Sequence, residues 1–398
     1  MSARGVDMRD VVVVGGGPAG SMAAARLASR GHDVVLLEEH DAIGTPAHCT
    51  GLLGAEAFAE FALPRRFALG RAGAVRVWGA AGESVAVESA RISASVIDRR
   101  ALDEWLAAAA CRAGAELRLG CRAVGVTTSP ASVIVDVAAG APPVVARALI
   151  LACGANYRFH RALGLGLPNV FLQSVQVEAP FPPLGEIEVR LGRRIAPGGF
   201  AWAVPFARAG ADFARIGLMC ESRGRERFAA LVAMLTKRSG VDPAAIPAPR
   251  PKILPLAPVS RTYATRAVAV GDAAGLVKPT TGGGIYYGLI SGTIAADVLD
   301  EGLRRDRLDE RFLSRYEARW RRRLGQEIRV GAAFRRITAG LDDSSIDELV
   351  NLARTDGIMP LLYETASFNW HRKAAVALLG HPAFRRIVRK SLVWNPAR

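Results

Sequence analysis

The stretch that decides the fold runs from Val11 to Glu38, VVVVGGGPAGSMAAARLASRGHDVVLLE. Val11 to Val14 is an unbroken β-branched run, the mark of a strand buried on both faces. A glycine-rich turn follows, then an alanine-rich helical segment from Pro18 to Ser29, then a second apolar run from Asp33 to Glu38. Strand, helix and strand within about 30 residues build a parallel sheet through a right-handed crossover. Gly15, Gly17 and Gly20 fall at the G-x-G-x-x-G positions between strand and helix. They serve, in order, the tight turn, the close approach of a pyrophosphate to the backbone, and the packing of helix on strand. Glu38 closes the second strand, where a carboxylate accepts hydrogen bonds from ribose hydroxyls and disfavours a 2′-phosphate. Strand alternation turns Glu39 away to the surface.

Working outward, a helix is predicted from Arg99 to Arg112 with Leu102, Trp105 and Leu106 on one face, and strands at Ala115 to Leu119 and Ala148 to Ala152 extend the same sheet. From Gly70 to Val96, and again from Phe171 to Met219, apolar and polar residues alternate in short runs broken by Gly and Pro. That pattern predicts antiparallel strands forming a second unit inserted into the first. The run Ala267 to Val270 returns to the parallel pattern, and Gly283 to Leu299 reads as a small-residue helix. Beyond Leu303 the chain reads as helices, with breaks at Gly340 and Gly357 and packing residues at Trp370, Phe384 and Trp394. The fold class is therefore α/β. A discontinuous Rossmann-type nucleotide-binding domain (1–69, 97–160, 256–302) carries an inserted antiparallel β-sheet substrate domain (70–96, 161–255) and a C-terminal helical region (303–398).

Half of the 398 residues are apolar, enough for a sizeable core shared among two or three packed units. Cys49, Cys111, Cys121, Cys153 and Cys220 are odd in number, form no C-x-x-C pair and share no metal-ligand spacing with the six histidines, so disulfides and structural zinc are not expected. No signal-peptide pattern precedes the first strand and no apolar run reaches the roughly 18 residues of a membrane span, which points to a cytoplasmic protein with reduced thiols. The net charge of +15 is concentrated late, at Arg304, Arg305, Arg307, Arg311, Arg315, Arg319 and Arg321 to Arg323. Asp306, Asp309, Glu310 and Glu317 are interspersed, so one reading is a solvated helix laced with i,i+4 pairs. The other is peripheral attraction to anionic headgroups at the inner face of the membrane, about 1 kcal/mol per basic residue. No nucleic-acid module or aromatic-basic interleaving accompanies the charge, so nucleic acid is not an expected partner.

A second nucleotide segment, AVAVGDAAGLVKPTTGGGIYYGLISG, spans Ala267 to Gly292. Asp272 follows a buried strand at Gly271, where a carboxylate can reach a ribityl hydroxyl. Gly282 to Gly284 open a helix whose positive end stabilises negative charge on a reduced flavin. The two segments together point to FAD. On these residues the chain resembles the FAD-dependent enzymes built like p-hydroxybenzoate hydroxylase, and within them the geranylgeranyl reductases, especially the digeranylgeranylglycerophospholipid reductases. The likeness also runs through IGTPAHCTGLL (Ile43 to Leu53), IDRRALDEWLA (Ile97 to Ala107), APGGFAWAVPF (Ala196 to Phe206) and LDDSSIDELV (Leu341 to Val350). The resemblance implies that Arg99 and Val124 touch the FAD, that Pro279, Gly284 and Ile285 border its isoalloxazine, and that Ala19, Cys49, Thr50, Gly51, Gly271 and Gly283 belong to the same site. Three departures stand out. The turn Cys49-Thr50-Gly51 is one residue shorter than the Cys-Gly-Glu-Gly type. The aromatic-x-Trp-x-Phe-Pro wall reads Phe200, Trp202, Val204 and Pro205. Cys153-Gly154 replaces the Asp-Gly pair of many hydroxylases.

What the resemblance implies about activity is reduction of C=C bonds in a geranylgeranyl-type chain carried by a lipid, diphosphate or quinone. Hydride comes from flavin N5 and electrons from an external donor, reduced ferredoxin or NAD(P)H. Such chemistry needs a proton for the second carbon and a site that excludes water and dioxygen. Cys49 is the candidate proton donor or gate; its ordinary alternative is a small apolar filler, as free cysteines often are. His48 could titrate or simply space the loop. Phe200, Trp202 and Pro205 are expected to line the substrate cavity, with Tyr287 rather than Tyr286 contributing from the helix after Gly284. The competing functions are an FAD monooxygenase or halogenase of the same superfamily, and a flavoprotein passing electrons to a quinone. The second commonly adds an iron-sulfur module, for which there is no cysteine cluster.

Overall fold

The computed structural model describes residues 8–88, 93–355 and 357–393, the side chains of 392 and 393 excepted; Trp394, expected as a packing residue, lies outside the described residues. The valine run forms the strand Arg9–Val14 at the middle of a sheet. Val34–Leu37 flanks it on one side and Val144–Leu151 on the other, both parallel, so Val11 to Val14 are buried on both faces. Glu116–Arg118 and Ala267–Ala269 extend the sheet at either side, again parallel. A hairpin of Ala123–Thr128 and Val133–Val137 hangs antiparallel on the start of Val144–Leu151. Its signal is the VIVDV alternation that follows Ser129-Pro130.

The fingerprint helix, Pro18–Ala28, begins at Gly17 with Pro18 in its first turn, where a missing N–H costs nothing. Gly15 has φ +111°, and a Cβ there would sit 2.3 Å from the Ala152 carbonyl oxygen. A Cβ on Gly20 would lie 2.0 Å from the Gly15 oxygen, so helix, turn and two strands close on one another only with glycine at both places.

The second sheet has the order Arg250–Pro255, Phe171–Pro180, Ala211–Cys220, Phe200–Arg208, Ile187–Arg190, Ala74–Trp78, Ser84–Glu88. Neighbours are antiparallel, as the alternation predicts, except that Ile187–Arg190 and Ala74–Trp78 run parallel. This pair is where two segments distant in sequence meet, so no hairpin dictates its direction. A small third sheet, Leu52–Gly54, Ala94–Ile97 and Ala68–Ala72, straddles the expected boundary near residue 70.

The C-terminal helices are less separate than the sequence suggests. Helix Glu310–Thr338 buries Phe312, Leu313, Tyr316, Trp320, Leu324 and Ile328 in the core of the parallel-sheet unit. Tyr316 donates to the Ala269 carbonyl at 2.7 Å, and Trp320 donates to Thr262 Oγ1 at 2.9 Å. The LDDSSIDELV motif then docks the next helix onto the antiparallel unit. Asp342 caps it by accepting from Ser345 N, Asp343 accepts from Arg193 N at 2.6 Å, and Asp347 accepts from Ala81 N at 3.1 Å. Of the late arginines, Arg304 pairs with Asp300, Arg315 and Arg319 with Glu301, Arg321 with Glu317, and Arg323 with Glu60. The solvated, paired reading of that stretch is the one these contacts support.

Arg215 ties the units together. Its side chain, 4% exposed, donates from Nε to Glu178 Oε2 at 3.0 Å, while Nη1 donates to the carbonyls of Thr50 at 2.9 Å and Ile97 at 3.0 Å. Gly51, at φ +67°, leaves room for it, since a Cβ there would lie 1.9 Å from Nη1. Removing the guanidinium leaves the Thr50 and Ile97 carbonyls without their charged donor, while Glu178 keeps Arg208. Arg215→Ala is therefore expected to cost about 1.5–3 kcal/mol of unfolding free energy by denaturant titration, and Lys should not restore it. A loss under roughly 1 kcal/mol would count against the clamp.

Candidate functional site

A cavity of about 660 Å³ runs between the three units. At one end it meets Gly17, Pro18 and Ala19 at the start of the fingerprint helix, with Ala152 and Gly154 beside them. Nothing lies within 4 Å of where a Cβ on Gly17 or Gly154 would be. The helix has no side-chain cap, so its first N–H groups and positive dipole end face this space. Midway, Gly271, Asp272 and Gly283 to Ile285 form one wall, and Cys49, Thr50 and Arg99 another. A Cβ on Gly284 would come 2.6 Å from Asp272 Oδ1, so the glycine lets the helix start close to the carboxylate. Burial pushes the Asp272 ionisation up, with Arg99 and Lys252 pulling it back; its carboxylate has no hydrogen-bond partner among the described residues. These are the features a dinucleotide requires: an open phosphate cradle and a carboxylate waiting for hydroxyls.

The far end is apolar. Phe200, Trp202 and Val204 face it from one side of their strand, the two rings edge to face at 5.8 Å, and Trp202 donates to Gln176 Oε1 at 3.2 Å. Val75, Ile187, Val189 and Met219 widen this wall, and Phe334, Phe368 and Leu378 close it from the C-terminal region, Phe368 from a connection between helices. Cys49 lies at the junction of the two ends, half-buried, accepting from Gly51 N at 3.3 Å and approached by the Arg99 guanidinium, which Asp103 holds at 2.9 Å.

Five expected residues stand elsewhere. Pro205 follows Val204 on the same strand, so alternation turns it to the opposite face, outside the cavity walls. Tyr287 is 1% exposed and packs inward, its hydroxyl 3.4 Å from the Asn369 carbonyl; Tyr286 lines the cavity instead and donates to Glu60 at 2.5 Å. Adjacent helix residues point about 100° apart, so an error of one position exchanges wall for core. Pro279 is buried against Gly331 of the long helix. Val124 is 45% exposed on its hairpin strand, away from the cavity. Glu38 sits behind the cavity wall, accepting from Gly16 N at 2.8 Å and His40 N at 3.0 Å, which orients the fingerprint loop. Gly15, Gly20 and Gly51 shape the walls from behind.

Lys278 and His371, not singled out in the sequence, complete the site. Lys278 is buried, donates from Nζ to the Phe368 carbonyl at 2.9 Å and lies over the Phe368 ring. Burial pushes its ammonium down to about 8, with Glu56 opposing. His371 Nε2 donates to the same carbonyl at 2.9 Å while Thr280 bonds its Nδ1. Burial, reinforced by Lys278, pushes His371 down to about 3. His48 is likewise pushed to about 4 by burial and Lys252, so it stays neutral near pH 7 and is no switch there. Cys153 donates to the Asn156 carbonyl at 3.2 Å, and burial pushes its thiol up to about 12.

The family model described as lycopene cyclase protein matches residues 10–352. Digeranylgeranylglycerophospholipid reductase 2 of Methanothermobacter thermautotrophicus is 32% identical over 360 residues, covering 86% of this chain and 90% of the relative. Digeranylgeranylglycerophospholipid reductase 1 of Methanopyrus kandleri is 31% identical over 377 residues, covering 88% and 98%. The chain belongs to the lycopene cyclase protein family, among the digeranylgeranylglycerophospholipid reductases. This reductase is thus an oxidoreductase of the flavin-dependent class. A geranylgeranyl bacteriochlorophyll reductase-like protein from Thermoplasma acidophilum shares its fold at TM-score 0.82 and 23% identity, over 97% of this chain and 99% of that one. A variant of the halogenase PltM in complex with FAD gives TM-score 0.68 at 16% identity, over 98% and 92%. No helix among the reductase's described residues is long and apolar enough to cross a membrane.

The depressed histidines set an acid limit. His48, His371 and His160, the last also lowered by burial, bind protons in the unfolded chain near the ordinary value of 6.5 but not in the folded one until much lower pH. Stability therefore rises with pH through this window and is lost as pH falls from about 6.5 toward 4. The melting temperature should drop between pH 7 and 5.5, and the drop should shrink in His48→Asn. A flat profile over that range would contradict the buried neutral histidines.

Proposed function

We propose that the reductase binds FAD in this cavity and hydrogenates C=C bonds of a polyprenyl chain carried by a glycerophospholipid. The observation that carries the reading is the continuity of the cavity from the Gly17 cradle, past Asp272 and Gly284, into the apolar end between Trp202 and Leu378. FAD, when bound, supplies hydride chemistry. The protein does the rest. The fingerprint helix and Gly154 receive the pyrophosphate, Asp272 accepts from the ribityl chain, Glu38 holds the loop beside the ribose, and the Gly283 to Ile285 helix start borders the ring. Phe200, Trp202, Val204 and Phe334 align an isoprenoid chain and exclude water. Cys49 sits where the two ends meet and holds the proton for the second carbon; Arg99 keeps it oriented. Electrons come from an external donor of the ferredoxin or NAD(P)H type. Peripheral contact with a bilayer follows from such a substrate.

Anaerobic incubation of dithionite-reduced protein with a digeranylgeranylglycerophospholipid tests the reading directly. Flavin reoxidation should accompany a mass gain of two hydrogens per saturated bond, whereas oxidation that occurs only with dioxygen would favour a monooxygenase. Asp272→Ala should weaken FAD binding by about tenfold or more, the cost of a hydrogen bond to a charged group. Cys49→Ser should keep FAD and fold but slow single-turnover reoxidation by about 10² to 10⁴-fold, the usual contribution of a general acid. A wild-type rate would return Cys49 to the role of filler.

A further inference from the structure

On the other side of Cys49 lies a second cleft, of about 570 Å³, between the Gly44 to Cys49 loop and the antiparallel sheet. It shares His48, Cys49, Arg99 and Gln176 with the main cavity, so one ligand can reach from either space to the same thiol. Its character is the reverse of the apolar end. Arg99, Arg100, Arg208, Arg215 and Arg250 border it, against the carboxylates of Asp98 and Glu178.

The charges are not all cancelled. Arg99 is taken by Asp103 and Arg100 by Glu104. Arg208 and Arg215 share the single carboxylate of Glu178, one on each oxygen. The Arg208 Nε is buried with no hydrogen-bond partner. The side chain of Arg250, on the exposed edge strand, has neither a hydrogen bond nor an ion pair among the described residues. Lys252 stands two residues further along that strand, on the same side by alternation, and lines the main cavity. Asp98, the opposing charge, is occupied in accepting from Ala101 N at the start of its helix. What remains is an excess of guanidinium donors with free N–H groups around a concave space.

We propose that this cleft is a binding site for the phosphate of a phosphate-bearing ligand, held chiefly by Arg250 and Arg208 with Arg215 behind them. Guanidinium forks match phosphate oxygens in pairs and keep their charge at any physiological pH. The shared wall at Cys49 favours an amphipathic ligand, with its phosphate here and its apolar part across the thiol. Two molecules carry that chemistry: the headgroup of a prenylated phospholipid, and a nicotinamide dinucleotide arriving as reductant. Only the first depends on the polyprenyl-reductase reading.

Calorimetric titration of FAD-loaded protein with inorganic pyrophosphate tests the site without any alkene chemistry. Arg250→Ala should weaken binding about tenfold and Arg250→Glu should abolish it, with flavin content and far-ultraviolet dichroism unchanged. No pyrophosphate binding to the wild type, or equal binding by Arg250→Glu, overturns the site even if prenyl reduction is established. Two further measurements assign the source. With dithionite as electron supply, a KM that rises in Arg250→Glu for a prenyl phosphate but not for the free prenol places the lipid headgroup in the cleft. A weaker Kd for NADPH in stopped-flow flavin reduction places the reductant there. If Arg250→Glu changes neither, the proposal fails.

Discussion

The guanidinium of Arg215 is the constraint on which the arrangement depends. It starts in the antiparallel sheet, shares a carboxylate with Arg208, and ends on two carbonyls, one from the Cys49 turn and one from the strand before helix Arg99–Arg112. A buried charge is stable only when every direction around it is answered, and here the answers come from the antiparallel sheet, the small third sheet and the Cys49 turn. The position of Cys49 between an apolar space and a basic one is thereby fixed by a residue that belongs to neither wall of the main cavity. The short Cys49-Thr50-Gly51 turn makes sense in the same terms, because any side chain at Gly51 would collide with the guanidinium.

The parts of this architecture that could be read directly are those where local pattern and tertiary environment coincide. The valine run, Gly15 and Gly20, and the Gly271-Asp272 step each place a backbone where only a narrow set of residues fits. What could not be read depends on phase or on distant chain. Tyr286 and Tyr287 differ by one helical step, Val204 and Pro205 by one strand step, and hydrophobicity alone does not set either phase. Pro279 turns to Gly331, and Lys278 to the Phe368 carbonyl, partners that lie more than a turn of any local element away. The closing wall takes Phe334 and Leu378 from helices whose sequence signals only amphipathicity, and Phe368 from the connection between two of them. Their LDDSSIDELV lead-in looked like a family signature. It proves to be three aspartates spent on backbone N–H groups, one of them capping its own helix and two docking it on the sheet.

Charge is distributed with the same economy. Several of the late arginines are paired along the long helix, which stiffens its outer face without adding much stability singly. Inside, burial acts in one direction: it keeps His48 and His371 neutral and lowers the Lys278 ammonium toward neutrality. The imidazoles that line the cavity thus stay uncharged at neutral pH, while Lys278, at about 8, keeps most of its charge and is answered by the Phe368 carbonyl and ring.

The strand Arg250–Pro255 ends the second sheet and leaves one side of its backbone without a neighbouring strand. An open edge of that kind ordinarily invites another molecule to add a strand and begin an aggregate. Here the sequence RPKILP places prolines at Pro251 and Pro255 and cations at Arg250 and Lys252, so an incoming chain would find missing donors and repulsion along the row. The same edge carries Ile253, 58% exposed, which would otherwise make it adhesive. Arg250, which gives the cleft part of its positive character, therefore also helps keep this protein from polymerising through its own sheet.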